Sequence, residues 1–266
     1  METRHILALS GGKDSTALAI YMRDRVADME YVFCDTHKEL PETYDYLLKV
    51  EAYLGKPIVR LCDDRGFDHW LTVFNSYLPS SRMRWCTKLL KIKPFEKYVG
   101  DAEVQMYVGI RADEDREAYI SSKPNIHPAY PFKEDGIDLA GVERILAESG
   151  IGFPAYYDWR TRSGCYFCFF QRRIEWVGLK ERHPELYELA KSYEKIDPAT
   201  GVEFSWNQRE SLTDLEQPAR IAEIKERHAK ALRAEQKREP NRPLMEVLQE
   251  VYEDESDEQP CFFCHT

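Results

Sequence analysis

The sequence predicts an α/β fold in which a parallel sheet carries helices on both faces, followed by a mostly helical C-terminal region. In the first half, short apolar segments alternate with helical patterns, and this alternation is typical of βαβ units that form a parallel sheet. The predicted strands are residues 6–9, 31–34, 58–61 and 104–108. The helical patterns between them are residues 16–25, 42–54 and 87–98.

The second half of the chain is predicted to be helical because it lacks this alternation. Its helical patterns are residues 139–148, 174–182, 184–193 and 216–239. Residues 246–258 carry seven acidic side chains, a density typical of a solvated segment. The change in pattern predicts a domain boundary near residue 130, with an α/β core over 1–130 and a C-terminal region over 131–266.

The bulk composition narrows the classes of function. The chain has 266 residues, of which 43% are hydrophobic, and its formal net charge is −10. An acidic balance disfavours an autonomous nucleic-acid binder, although it permits a local basic groove. No segment approaches the roughly 20 apolar residues of a membrane span, and the chain enters its first strand without a signal peptide. We therefore expect a cytoplasmic protein with no membrane partner, and its oligomeric state is left open.

A glycine-rich loop between the first strand and the first helix is the clearest sign of function. Residues 10–15 read Ser-Gly-Gly-Lys-Asp-Ser. Glycines let backbone N–H groups fold around an anion, the helix N-terminus adds a positive dipole end, and a lysine adds a point charge. The loop is predicted to bind nucleotide phosphates in an enzyme that uses Lys13 and Asp14 in catalysis. The predicted phosphate-binding residues are Ser10, Gly11, Gly12, Lys13, Asp14, Ser15 and Thr16.

Polar residues also follow the second and fourth predicted strands. Asp35 and Glu39 follow the second strand, where a carboxylate can accept from a ribose hydroxyl or help hold Mg²⁺. Gly109, Arg111 and Arg116 follow the fourth strand, where guanidinium groups suit phosphate or sulfate oxygens. The alternatives are helix capping for the acids and pairing with neighbouring aspartates for the arginines. Because parallel strands present their carboxyl ends at one edge, all three segments are expected to face one crevice.

Two Cys-x-x-Cys pairs and one further cysteine form a candidate metal site. The candidate ligands are Cys86, Cys165, Cys168, Cys261 and Cys264. Four or five thiolates suit a [4Fe–4S] cluster or a Cys₄ zinc site, whereas a single pair can also be a redox dithiol. Cys34 and Cys62, in or beside strands, are predicted to be buried structural residues.

Cations surround several of these cysteines. They are Arg82, Arg84, Lys88, Arg160, Arg162, Arg172 and Arg173. If they converge, they form a local basic rim for nucleic acid. The equally weighted alternative is that they serve a nucleotide phosphate or simply face solvent.

The order of these motifs resembles the phosphoadenosine-phosphosulfate reductase family of the PP-loop ATP pyrophosphatase superfamily. The resemblance covers residues 5–195 and rests on Ser-Gly-Gly-Lys-Asp-Ser, Asp-Thr-x-x-Glu-x-Pro-Glu-Thr, Cys-Thr-x-x-Leu-Lys-Ile-x-Pro-Phe, Gly-Ile-Arg-x-Asp-Glu-x-Arg and Gly-Cys-x-x-Cys. Within the family the chain is more similar to branches that are not true reductases, including the iron–sulfur protein of DNA phosphorothioation. The implied fold is that of the adenine nucleotide α-hydrolase-like proteins, with the nucleotide in the core over 1–130.

The resemblance also implies roles for individual residues. Asp35 and Glu39 would lie near the nucleotide, and Arg111 and Arg116 would face its anionic group. The implied cluster ligands are Cys86, Cys165 and Cys168. This chain departs from the family in two places: Trp-Cys stands where reductases have Cys-Cys, and the tail reads Cys-Phe-Phe-Cys-His instead of Glu-Cys-Gly-Leu-His. A tail cysteine therefore replaces the lost ligand, or Cys264 acts as a mobile catalytic nucleophile.

The leading hypothesis is an adenylating sulfurtransferase that cleaves ATP to AMP and pyrophosphate. Its expected cofactors are ATP, Mg²⁺ and a [4Fe–4S] cluster, with Zn²⁺ as the alternative to the cluster. Its expected partners are a nucleic-acid or small-molecule acceptor and a sulfur donor protein. One alternative is a sulfonucleotide reductase. Another is a nucleotide-binding subunit with structural zinc in a defence or modification complex.

Overall fold

Five parallel strands form one sheet in the first of two compact units. The structure is a computed structural model that describes residues 3–115, 123–196, 203–207 and 210–236. The strands are β1 (Arg4–Leu9), β2 (Glu30–Cys34), β3 (Ile58–Leu61), β4 (Val104–Tyr107) and β5 (Ile126–Ala129). They are hydrogen-bonded in the order β3-β2-β1-β4-β5, and every neighbouring pair is parallel.

Helices connect these strands. They are α1 (Lys13–Met22), α2 (Pro41–Leu54), α3 (Gly66–Val73), α4 (Trp85–Thr87), α5 (Lys93–Val99), α6 (Pro131–Glu134) and α7 (Leu139–Ser149). A π-helical turn, Lys88–Ile92, joins α4 to α5. Pro94 contributes to this widening because it has no N–H to donate to the carbonyl four residues earlier. A 3₁₀ turn, Ala155–Asp158, follows α7.

Alternate side chains of β1 enter two separate apolar cores. Leu7 and Leu9 pack into a core with residues of α1, α2 and α7. Ile6, which points to the opposite face, packs with Phe95 and Val99 of α5. Since successive residues of a strand face opposite sides, helices cover both faces of the sheet. The predicted fold class is confirmed.

The fifth strand is an element that the sequence did not predict. β5 has four residues, and one of them is Pro128. A proline cannot donate to a strand neighbour, so it is tolerated at the edge of a sheet, which is where β5 lies. Its short, partly polar sequence carries no strand pattern.

The second compact unit is mostly helical. Its elements are α8 (Arg173–Arg182), α9 (Pro184–Ser192), β6 (Lys195–Ile196), β7 (Glu203–Phe204), α10 (Leu212–Leu215) and α11 (Pro218–Gln236). Its described residues are 74–82 and those from 166 onward, whereas 131–165 belong with the first unit. The predicted division at residue 130 stays a prediction. Among the helices described, none combines the length and apolar character of a membrane span.

Candidate functional site

The order of the strands reverses at β1, and this defines where a ligand can enter. The chain runs outward from β1 through β2 to β3, and then returns to the other side of β1 as β4. In open α/β sheets, ligands bind at the carboxyl ends of the strands beside such a reversal. The glycine-rich loop follows β1 and the segment 108–111 follows β4, so both line this point.

A side chain at either glycine of the loop would press against a neighbouring side chain. Gly11 has a φ of +75°, and a Cβ placed on it would lie 2.7 Å from Thr43 Cγ2. A Cβ on Gly12 would lie 2.9 Å from Ser163 Oγ. Gly12 also precedes α1 and accepts from the N–H of Thr16 at 3.1 Å. The glycines therefore allow Thr43 and Ser163 to pack closely against the backbone of this loop.

Serine hydroxyls hold the loop in shape. The N–H of Ser10 donates to Ser15 Oγ at 3.1 Å, and the two hydroxyls lie 3.1 Å apart. Ser163 Oγ donates to Ser10 Oγ at 3.1 Å, and the N–H of Gly12 donates to the same oxygen at 3.3 Å. These bonds pre-organise the loop without a ligand.

Gly109 brings the end of β4 against the start of α1. A Cβ on this residue would lie 3.1 Å from the carbonyl carbon and oxygen of Asp14 and 3.2 Å from the nitrogen of Ser15. Because these are backbone atoms of a helix, they cannot move aside easily. Gly109 is therefore a packing residue that sets the distance between the two loops.

The charged groups of the loop form a compact network. Asp14 is only 3% exposed, and it lies 3.0 Å from Arg111 Nη1 and 3.5 Å from Lys13 Nζ. Arg111 also pairs with Asp113 at 2.9 Å and with Glu114 at 3.5 Å. Burial acts to lower the pKa of Arg111, but the hydrogen bond to Asp113 and the charge of Asp14 outweigh it and raise the pKa. Arg111 thus ties the β4 loop to α1, and its predicted role toward an anionic substrate stays a prediction.

Two tyrosines that sequence reasoning missed also contact the loop. The buried Tyr156 donates its hydroxyl to the carbonyl of Gly11 at 2.7 Å. Tyr157 Oη accepts from the N–H of Lys13 at 3.2 Å, and Lys13 Nζ lies 5.4 Å from the centre of the Tyr157 ring. Burial raises the pKa of Tyr157, so its hydroxyl stays protonated near neutral pH. These residues lie more than 140 positions from the loop, and no local pattern points to them.

Replacing Tyr157 with phenylalanine is expected to tighten nucleotide binding. The Tyr157 hydroxyl occupies an N–H at the first turn of α1, which a phosphate oxygen would otherwise use. Removing this competitor while keeping the ring is worth about 1 kcal/mol, or about fivefold in Kd. Titration calorimetry with ATP measures the change, and Tyr98→Phe, whose hydroxyl bonds Glu30 instead, is the control. A weaker Kd would mean that the hydroxyl itself contacts the nucleotide.

A second cluster lies at the carboxyl end of β2. Asp35 Oδ1 accepts from the N–H of His37 and from Tyr44 Oη, both at 2.8 Å. Thr36 Oγ1 donates to Glu39 Oε1 at 3.0 Å. Cys165 Sγ lies 3.1 Å from Thr36 Oγ1 and donates to Glu39 Oε1 at 3.6 Å. The structure thus brings one predicted metal ligand, Cys165, to the predicted nucleotide residue Glu39.

The remaining predicted ligands are spread over different parts of the chain. Cys86 lies on α4 in the first unit, and Cys168 lies in the second unit. Cys261 and Cys264 lie outside the described residues, as does Arg116. Among the residues described, no three or more His, Cys, Asp or Glu side chains are grouped to hold a metal ion.

The structure corrects the expectation for Cys62 and bears on those for Cys34 and for two arginines. Cys62 is exposed, because it follows β3 at the edge of the sheet. Cys34 is less accessible: burial raises the pKa of its thiol to about 12, and the thiol donates to the carbonyl of Lys91 at 3.5 Å. One of the two equally weighted readings placed Arg160 and Arg162 in a basic rim, but both are buried.

The parallel sheet and the serine–glycine loop have the arrangement expected of a PP-loop domain. Residues 4–126 match the family model for the phosphoadenosine phosphosulfate reductase domain, so this part of the chain is similar to that family. The fold is similar to that of phosphoadenylyl-sulfate reductase from Candida auris, solved as a phosphate complex. That similarity has a TM-score of 0.50 and 16% identity, and it covers 62% of this chain and 82% of the other. The predicted resemblance to the reductase family is confirmed, and the particular branch stays a prediction.

Two further proteins are similar to this chain. An uncharacterised protein of Methanocaldococcus jannaschii is 28% identical over 197 residues, which are 69% of this chain and 40% of that protein. The chain thus spans less than half the length of this relative. The U34-tRNA thiolase NcsA of Methanococcus maripaludis, solved with its [4Fe–4S] cluster, matches at a TM-score of 0.36 and 13% identity. This match covers 72% of this chain and 70% of the thiolase.

Proposed function

We propose that this chain is a PP-loop enzyme that cleaves ATP to AMP and pyrophosphate and adenylates an acceptor for sulfur transfer. The observation that carries the proposal is the loop at the carboxyl end of β1, where two closely packed glycines lead directly into the N-terminus of a helix. The buried carboxylate of Asp14, bound by Arg111, adds a fixed charge at the same place.

In this proposal the loop binds the triphosphate of ATP. Backbone N–H groups at the start of α1 and the ammonium group of Lys13 would bind phosphate oxygens. Mg²⁺ in such sites is usually held by one or two carboxylates together with the phosphates, so it needs few protein ligands. Asp35 would hold it and, when bound, Mg²⁺ would offset charge on the phosphates.

The proposed reaction has two steps. An acceptor hydroxyl attacks the α-phosphorus, the bond to the β-phosphate breaks, and pyrophosphate leaves as the hydroxyl loses its proton. A sulfur nucleophile then attacks the acceptor carbon, and AMP leaves with the original oxygen. The loop would stabilise the developing charge of pyrophosphate through N–H groups that are already oriented. We propose a nucleic acid or a small molecule as the acceptor, and a donor protein as the source of sulfur.

We also propose that the cysteines hold a [4Fe–4S] cluster, with zinc as the alternative. The proposed ligands are drawn from Cys86, Cys165, Cys168, Cys261 and Cys264. Thiolates suit both metals, so the residue types do not choose between them. Anaerobic purification followed by iron and zinc analysis and a visible spectrum distinguishes the two.

The test of the proposed function is the release of AMP and pyrophosphate. The anaerobically purified full chain is incubated with ATP and Mg²⁺, alone and with transfer RNA, duplex DNA or a panel of small hydroxyl compounds. We expect equal amounts of AMP and pyrophosphate with one acceptor class. The Lys13→Met variant should lose at least about tenfold of this activity, because a point charge on phosphate is removed. Wild-type protein that neither binds ATP nor forms AMP with any acceptor would contradict the proposal.

A sulfonucleotide reductase is the second candidate, because the matched family model is that of the reductase domain. The same loop would then bind an adenosine phosphosulfate, and Cys264 would attack its sulfur. Sulfite release with a thiol reductant, lost in Cys264→Ser, would favour this reaction. ATP binding without turnover in a zinc-containing protein would instead favour the nucleotide-binding subunit.

A further inference from the structure

A buried arginine is hydrogen-bonded to the backbone of the segment that carries Cys165. Arg160 is 1% exposed, and it is one of the largest fully buried side chains of the protein. Its Nη1 donates to the carbonyl of Gly164 at 3.0 Å, and its Nη2 donates to the carbonyl of Cys165 at 2.9 Å. The planar fork of a guanidinium is suited to fixing two acceptors at once.

This arrangement is energetically costly. Burying a guanidinium costs several kcal/mol in lost hydration, and the usual compensation is a carboxylate. Within the described residues no carboxylate pairs with Arg160, and its Nε has no hydrogen-bond partner. An apolar side chain of similar size would fill the space without that cost. What the guanidinium group adds over an apolar side chain is therefore its two hydrogen bonds to these carbonyls.

The segment held by Arg160 joins the ends of two strands. Gly164 has a φ of +136°, which turns the chain between its neighbours. On one side, Ser163 Oγ donates to Ser10 Oγ in the phosphate loop after β1. On the other side, Cys165 Sγ lies 3.1 Å from Thr36 Oγ1 after β2. One short segment thus connects the phosphate loop to the sulfur atom.

We propose that Arg160 is a positioning residue that fixes Cys165 relative to the phosphate loop. Arg160 is too deeply buried to touch the nucleotide, and it acts through the backbone of Gly164 and Cys165. The idea that Cys165 takes part in sulfur chemistry beside a nucleotide rests on the proposed function. The position of Cys165 can be tested independently of any reaction.

The experiment compares the full-length variants Arg160→Met and Arg160→Lys with the wild type. Cysteine alkylation by iodoacetamide is followed by mass spectrometry, and ATP affinity and turnover are measured on the same samples. In Arg160→Met, two hydrogen bonds to a charged donor are lost, so Cys165 should be alkylated at least about tenfold faster. Arg160→Lys keeps one donor group, so its rate of Cys165 alkylation should lie between those of the wild type and Arg160→Met. Turnover should fall most in Arg160→Met and less in Arg160→Lys, while the Kd for ATP changes little in both.

Alkylation of Cys34 serves as an internal control for a general opening of the first unit. Its partly buried thiol donates to the carbonyl of Lys91 in the same unit, so its alkylation rises if the unit itself opens. Arg4→Met, which breaks an ion pair to Glu30, is a matched control that should leave Cys165 unchanged. Equal acceleration at Cys34 and Cys165, or no acceleration at Cys165, would overturn the proposal. Wild-type protein that does not turn over ATP would refute the proposed function, yet the alkylation rates would still decide the role of Arg160.

Discussion

Gly11→Ala is expected to weaken nucleotide binding while leaving the sheet intact. The new Cβ would lie 2.7 Å from Cγ2 of the fully buried Thr43, on a residue whose φ is +75°. Left-handed backbone costs an L residue about 1–2 kcal/mol, and a contact this short forces the loop to move. We expect ATP affinity to fall at least about tenfold, since each 1.4 kcal/mol lost changes Kd by that factor.

Gly55→Ala is the matched control. Gly55 has a φ of +65°, and a Cβ placed there meets nothing within 4 Å. It ends α2, away from the loop, and so carries the same backbone strain without the clash. We expect a loss of about 1 kcal/mol in the free energy of unfolding and unchanged ATP affinity. Denaturant unfolding and calorimetry measure the two quantities.

A second change separates strain from steric overlap at Gly11. Thr43→Ser removes Cγ2, the atom that the new Cβ would meet. In the Gly11→Ala background it should recover part of the affinity, leaving only the cost of the left-handed backbone. If Gly11→Ala binds ATP as tightly as the wild type, the loop is not the phosphate site.

The residues that sequence reasoning found are those with local patterns. The apolar strands and the serine–glycine loop follow from short-range periodicity and from the backbone freedom of glycine, and the structure places the loop as the strand order requires. Asp14 could be recognised by its position in the motif. Its pairing with Arg111 was not predicted, because it depends on β4 returning beside β1.

The residues that it missed reach the loop from far along the chain. Tyr156, Tyr157 and Ser163 contact residues 10–13 across more than 140 positions. Arg160 was noticed in the sequence, but its burial was not predicted, because a cation near a cysteine pair is typical of a solvated rim. Only the fold shows that it is buried and bonded to backbone carbonyls.

Arg111→Met is expected to destabilise the protein and to abolish turnover. Asp14 would keep only Lys13 Nζ, at 3.5 Å, as a cationic partner among the residues described. Removing one partner of a buried ion pair costs about 3–5 kcal/mol, because the other charge is left uncompensated. Arg65→Met, which breaks the exposed pair with Asp63, should cost less than about 1 kcal/mol. Denaturant unfolding of the full chain measures both losses.

The double variant Arg111→Met with Asp14→Asn distinguishes two roles of the arginine. The neutral amide no longer needs a cation, so stability should recover by about 1–3 kcal/mol relative to Arg111→Met. If Arg111 also binds the anionic substrate, turnover stays lost in this stable double variant, and the KM for ATP rises in any residual activity. Asp14→Asn alone measures the contribution of the carboxylate to turnover. Recovery of turnover together with stability, in the double variant, would show that Arg111 only neutralises Asp14.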